Sequence, residues 1–357
     1  MYLRYIFTPN MKYLRLLLFP FSLIYGLVVS IRNWMYDAGA FKSTKFNLPV
    51  IVVGNLDVGG AGKSPMTEYL IRLFKDQYKI ATLSRGYGRK TQGFLLANTP
   101  ADAEKVGDEP AQFKNKFPTV TVAVCEKRVE GIEQLNNKYR PVILDDAFQH
   151  RALKPGFSIL LFDYGRLTEP RLMLPAGNLR EPFSGRERAD VIVISKCPVT
   201  LADEEIALIK NHIKPFKHQH LFFTSISYLA FHNMDNATVY YTIDEHTTVF
   251  LLTGIANATP LLSHLKKLTT SIHHHKYPDH HQFTLKNISK LADDFATCTS
   301  QKKIVITTEK DAQRLGEQTL LPAVKKLPVL ILPIGISFLN DGRQQFDNLV
   351  TEYVRQY

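Results

Sequence analysis

The segment that most restricts this chain runs from residue 50 to residue 74. Val50, Ile51, Val52 and Val53 make a short, wholly apolar run of the kind buried on both faces of a parallel sheet. It leads into Gly54-Asn55-Leu56-Asp57-Val58-Gly59-Gly60-Ala61-Gly62-Lys63-Ser64-Pro65. Met66, Tyr69, Leu70, Leu73 and Phe74 then recur at helical spacing, and Pro65 suits a first helical turn. Strand, glycine-rich loop, Gly-Lys-Ser and helix is the setting of a phosphate-binding loop. Backbone N–H groups face the phosphates, the lysine reaches the β/γ oxygens, and the serine hydroxyl is a Mg²⁺ ligand. The nucleotide-contacting set is therefore Gly54, Asn55, Val58, Gly59, Gly60, Ala61, Gly62, Lys63, Ser64 and Pro65. Asp57 stands where such loops usually have their first glycine, and Gly59 and Gly60 supply the flexibility instead. A turn that binds nothing is the bland alternative, and the flanking strand and helix weigh against it.

A second apolar run, residues 141–144, ends in Asp145 and Asp146 and continues Ala147-Phe148-Gln149-His150-Arg151. Downstream of a phosphate loop, acids at a strand end read as the carboxylates that hold Mg²⁺ directly or through water. Further strand-like runs at 80–83, 120–124, 158–162, 191–195 and 221–224 give an α/β fold, P-loop NTPase-like. Its sheet is mostly parallel and flanked by helices. The alternation repeats on a smaller scale at 249–254 and 303–311, which marks a second, smaller α/β lobe. Ser84-Arg85-Gly86-Tyr87-Gly88-Arg89 has arginines suited to phosphate, and Gly107-Asp108-Glu109-Pro110 precedes a helix that Asp108 alone would be expected to cap. His273, His274, His275, His280 and His281 invite a metal, although a histidine working with a carboxylate in catalysis is the better reading.

A formal net charge of +11 asks for an anionic partner: nucleic acid, anionic lipid or a phosphorylated substrate. Three scattered cysteines without CxxC spacing exclude a disulfide framework and fit a reducing compartment. Residues 16–31 are almost entirely apolar, yet fall short of the roughly 20 residues a spanning helix needs. Ala38-Gly39-Ala40 admits a signal peptide, and a buried core helix is another reading. Flanking Arg4, Lys12, Arg15 and Arg32, with Tyr2, Tyr5, Tyr13, Trp34 and Tyr36, favour a membrane-interface helix. The expected division is a membrane-associated segment 1–42, a P-loop domain 43–227, a linker 228–248, a smaller lobe 249–328, and a return strand with final helix 329–357.

Taken in order, residues 53–65, 84–89, 107–110, 145–151, Leu174-Pro-Ala-Gly-Asn-Leu-Arg-Glu181, Asp279-His-His281 and Thr307-Thr-Glu-Lys-Asp311 resemble the tetraacyldisaccharide 4′-kinase family. The resemblance covers nearly the whole chain. It implies ATP- and Mg²⁺-dependent transfer of a γ-phosphate to the 4′-hydroxyl of a lipid A disaccharide 1-phosphate. It also implies a peripheral or monotopic protein on the cytoplasmic face of the bacterial inner membrane, against an anionic lipid surface. Carried over, Asp108 is the general base, His280 orients it, and Lys63 stabilises the transferring phosphoryl group. Ser64 and Asp145 hold Mg²⁺ with help from Asp146 and Glu181, while Arg128, Arg180, Gln149 and His150 bind substrate, the two arginines at the acceptor or a phosphate. Ala147 and Ser64 replace a more usual glycine and threonine. The competing function is a membrane-associated nucleotide switch with slow hydrolysis, although Pro198 argues against guanine specificity after Ser195-Lys196. Nucleic-acid binding has only the net charge in its favour, and no obligate protein partner is evident.

Overall fold

A computed structural model describes residues 15–235, 237–279 and 281–357. In chain order the strands are β1 (Val50–Asn55), β2 (Ala81–Ser84), β3 (Leu95–Leu96), β4 (Thr121–Val124), β5 (Val142–Asp145), β6 (Phe157–Asp163), β7 (Val191–Cys197), β8 (His220–Tyr228), β9 (Phe231–His232), β10 (Thr238–Val239), β11 (Thr248–Thr253), β12 (Ile272–Lys276), β13 (Lys303–Thr307), β14 (Val329–Ile331) and β15 (Ile334–Phe338). Nine of them form one sheet in the order β15-β8-β7-β6-β1-β5-β2-β4-β3, and six form another in the order β10-β9-β14-β13-β11-β12. In the first sheet β3 and β15 run antiparallel at the edges, and the strands between them are parallel.

The helices used below are α1 (Phe19–Asp37), α2 (Lys63–Phe74), α3 (Ala103–Val106), α4 (Asp108–Lys116), α5 (Arg128–Leu135), α6 (Asp203–Ile213), α7 (Thr259–Leu265), α8 (Leu285–Thr297), α9 (Glu309–Leu315), α10 (Leu321–Val324) and α11 (Gly342–Arg355). Strand β1 is buried throughout because both its faces are covered. Ile51 and Val53 point into a core with Met66, Leu70 and Phe74 of α2 and Phe346, Val350 and Val354 of α11. Val50 and Val52 point the other way, toward Leu144, Leu160, Ile192, Ile132 of α5 and Ile209 of α6. That split follows from the two-residue period of a strand.

The chain enters the second lobe after β8 and returns through β15, which pairs with β8 from Tyr228↔Ile334 to Thr224↔Phe338. Within residues 228–248, β9 and β10 add an antiparallel edge to the second sheet. The central strand of that sheet, β11, is wholly buried. Helix α8 starts on a capping box in which Thr284 and Asn287 satisfy each other's backbone N–H. Helices α4 and α9 brace the lobes together. Asn115 Nδ2 donates to Gln313 Oε1 at 2.9 Å, Lys310 Nζ lies 3.5 Å from Glu109 Oε1, and Lys116 pairs with both Glu68 and Glu309.

Helix α1 lies along the first lobe. Ser22 Oγ accepts from Ala176 N at 2.8 Å, Tyr25 OH donates to Arg180 O at 2.9 Å, and Arg32 donates to Gln149 O at 3.0 Å. Phe21, Leu23, Ile24, Leu27 and Val28 remain 60–61% exposed. Among the described residues no helix is long and apolar enough to cross a membrane.

Candidate active site

Strands β1 and β5 are neighbours with Val53 opposite Asp145, so the loop after β1 and the acids after β5 emerge side by side. Open α/β sheets bind ligands at such carboxyl ends. The close approach depends on Gly54, where a Cβ would lie 2.5 Å from Phe148 Cβ. Gly62, at φ 84°, takes the N-cap position of α2 and releases the chain directly into Lys63. The rest of the loop is tied down from outside. Val58 N donates to Asn178 O at 2.8 Å, Arg166 to Val58 O at 2.8 Å, and Ser195 Oγ to Ala61 O at 2.8 Å. Lys196 donates to the Gly60 carbonyl and lies 2.7 Å from Asp163 Oδ2.

Two cations and two acceptors meet next to this loop. Lys63 Nζ donates to Asn55 Oδ1 at 3.0 Å and lies 3.6 Å from Asp146 Oδ2. Arg180 grips Asp146 through both oxygens, at 2.8 and 3.1 Å, and also donates to the Asn55 side chain. Burial pushes the Asp146 carboxyl up, but Lys63 and Arg180 outweigh it and hold the group below the usual carboxylate range. Asp145 is the opposite case. Burial, then the charges of Glu109 and Asp146, push it well above that range, against the pull of Lys63. Thr67, one turn beyond Lys63, donates to its Oδ1 at 3.1 Å.

An Asp145 carboxylate surrounded by other acids gains from a nearby cation, and the half-buried Ser64 hydroxyl on the adjoining turn is a second hard oxygen. This donor set fits Mg²⁺, which takes one or two protein oxygens and completes its shell with phosphates and water. Among the described residues no group of three or more His, Cys, Asp or Glu side chains could hold a metal. The histidines of β12 have partners within the second lobe. His273 stacks on Phe250 at 4.8 Å, His274 Nε2 is 2.8 Å from Thr253 Oγ1, and His275 is 3.5 Å from Asp294.

Several of the expected site residues have protein partners in the structure. Glu181, expected to assist the metal, has Oε1 bonded by Gln149 at 2.8 Å and Oε2 bonded by Arg188 at 2.8 Å and Asn33 at 3.3 Å. Both of its oxygens thus have protein partners. Asp146, also expected beside the metal, pairs with Arg180 and Lys63. Gln149, expected at the acceptor, bridges Asn55 O and Glu181 with its amide nitrogen. Arg128 is buried, donates to Glu126 O at 2.9 Å, leaves its Nε without a partner, and is lowered to about 10 by burial and then by Arg85. His150 is lowered to about 4 by burial, then Arg128, Arg32 and Arg85, so its imidazole is neutral.

Gly107, at φ 96°, takes the N-cap of α4, and Asp108 Oδ2 accepts from Arg314 Nη2 of the second lobe at 3.2 Å. Its expected partner His280 lies outside the described residues. Sequence reasoning missed Thr67 and Arg314, and weighed Ser195-Lys196 only as the start of a guanine-reading motif. The helical spacing from Lys63 to Thr67 was the one local signal, whereas Arg314 reaches Asp108 across 206 positions.

Residues 14–355 match the family described as Tetraacyldisaccharide-1-P 4′-kinase. A Tetraacyldisaccharide 4′-kinase of Phocaeicola vulgatus is 41% identical over 347 residues, covering 95% of each chain. One of Flavobacterium johnsoniae is 43% identical over 350 residues, covering 97% of this chain and 99% of its own. The crystal structure of the "apo" form of LpxK from Aquifex aeolicus in complex with ATP superposes with a TM-score of 0.74 at 29% identity. It covers 96% of this chain and 99% of its own.

Proposed function

The chain belongs to the tetraacyldisaccharide-1-P 4′-kinase family, and from that premise we propose how its residues move the γ-phosphate of ATP to the 4′-hydroxyl of a tetraacyldisaccharide 1-phosphate. The observation that carries the reading is the convergence of Lys63 and Arg180 on Asn55 and Asp146, beside the loop that ends in Gly62.

The loop amides and Lys63 bind the phosphate chain, and Lys63 neutralises charge growing on the transferring group. Asn55 and Asp146 aim Lys63 before substrate arrives, so little reorganisation is needed during reaction. Ser64 and Asp145 are the residues that would hold Mg²⁺, which screens phosphate charge when bound. The 4′-oxygen attacks phosphorus while the bond to the β,γ-bridging oxygen breaks. ADP leaves with that electron pair, and Asp108 accepts the hydroxyl proton. Arg128 and Arg85 make a cationic surround suited to the acceptor's phosphate, with neutral His150 beside them as a polar neighbour. Gln149 and Glu181 hold each other through their hydrogen bond.

The acceptor is a lipid, and the exposed face of α1 fits an interfacial position. Its polar side holds the segments bearing Gln149 and Arg180, so the lipid-facing helix and the site are one unit. We place the protein peripherally at the cytoplasmic face of the inner membrane, where ATP is supplied.

The test is transfer of labelled γ-phosphate to tetraacyldisaccharide 1-phosphate in detergent micelles. Lys63→Ala is expected to lower kcat by roughly 10²–10³-fold, and Asp108→Asn by roughly 10²–10⁴-fold. Nucleotide hydrolysis indifferent to the lipid would overturn the residue assignments in favour of a nucleotide switch.

A further inference from the structure

Arg314 is a buried cation whose partners come from both lobes. Its side chain is 5% exposed, and an unpaired charge at such a depth is costly. Nη1 donates at 3.2 Å to Gly254 O, at the end of β11, and at 3.2 Å to Asp311 Oδ1. Asp311 is itself fully buried and fixed by Thr308 Oγ1 at 2.8 Å. One side of the planar guanidinium is thus anchored within the second lobe, and Nη2 is left pointing at Asp108 of the first. The contacts from Asn115, Lys116 and Glu109 to α9 fix how far that nitrogen stands from α4.

We propose that Arg314 is a positioning residue for Asp108, so that the second lobe sets the direction of the carboxylate that receives the hydroxyl proton. The proposal rests on Asp108 being that base. A guanidinium anchored at Nη1 presents Nη2 to the carboxylate from a fixed direction, which a lysine ammonium on a flexible stem does not. Because the proposed action of Arg314 runs through Asp108, its effect belongs in turnover.

The experiment is a double-variant cycle on the full chain: Arg314→Met, Arg314→Lys and Asp108→Asn, with both double variants, measuring kcat and the KM of ATP and of lipid. ATP binding and thermal unfolding of each variant report folding. Arg314→Met is expected to lower kcat about 10–100-fold, with both KM values within about twofold, and Arg314→Lys to recover only part. In the Asp108→Asn background either substitution is expected to cost less than about twofold, because an interaction routed through Asp108 is already lost. Should Arg314→Met fail to fold, the lysine variant decides by the same cycle. An equal loss in both backgrounds, or a rise in KM with kcat unchanged, overturns the proposal. Asp108→Asn with unchanged kcat overturns the base assignment instead, a separate outcome.

Discussion

Helix α11 turns Phe346, Val350, Tyr353 and Val354 inward and leaves Arg343, Gln344, Gln345, Asn348 and Glu352 in water. Helix α1 reverses that arrangement. Ser22, Tyr25, Arg32 and Asn33 face the protein through hydrogen bonds, while Phe21, Leu23, Ile24, Leu27 and Val28 face outward. Both helices pack on the first lobe, so the difference lies in what covers the far side. A helix that spends its polar groups on the protein and presents leucines outward is suited to an apolar phase. The comparison teaches that the apolar run near the N-terminus is attached to the active site by its minority of polar residues.

The largest expected effect tests the conventional helix. Phe346→Ala empties a fully buried site between α2, β8 and β15, and urea unfolding should show a loss of about 3–5 kcal/mol. A cost below about 1 kcal/mol would mean that α11 is not core. Next is the inverted helix. Leu27→Glu should leave unfolding in solution within about 0.5 kcal/mol. Partitioning onto anionic phospholipid vesicles should weaken by about 1.5–3 kcal/mol, the value of one large apolar side chain. Unchanged vesicle binding would break the comparison.

The smallest expected effect comes from acid. Burial and the guanidinium groups of Arg128, Arg32 and Arg85 hold His150 at about 4, below its unfolded value of about 6.5. Between those values the unfolded chain binds a proton that the folded chain does not, so stability falls as pH drops from about 6.5 toward 4. Because the neighbours of His150 include Arg32 of α1, acid should loosen this side before the α11 side. Hydrogen exchange at pH 7 and pH 5 reads the order, and His150→Asn should flatten the pH dependence. Equal loosening of both helices would remove the distinction.

How much of this was legible in the sequence depends on how local each feature is. The loop from Gly54 to Pro65 could be read because strand, turn and helix start are set by neighbouring residues. Asp145 could be read as the polar end of an apolar strand. The mostly parallel sheet and a second α/β lobe followed from the alternation of such runs. The committed oxygens of Glu181 could not be read, since Asn33, Gln149 and Arg188 reach it from three separate segments. Nor could the placement of α11 or the reach of Arg314, both of which depend on the chain's return from the second lobe. The apolar character of residues 16–31 was plain, yet only the fold shows that Ser22, Tyr25 and Asn33 choose which face turns inward.

One contact also bears on how the protein is made. Tyr353 OH accepts from Val50 N at 2.9 Å and donates to Val50 O at 3.2 Å, joining residues 303 positions apart. The strand that feeds the phosphate loop leaves the ribosome early, but its last partner follows roughly 15–60 s later at ordinary elongation rates. Once β8 has followed, its edge that β15 will occupy stays open until that strand is made, and Ile51, Phe157 and Phe222 lack part of their cover. The nucleotide lobe is therefore finished last, although its motif is translated first, and the nascent chain passes through a period in which shielding from other chains matters most.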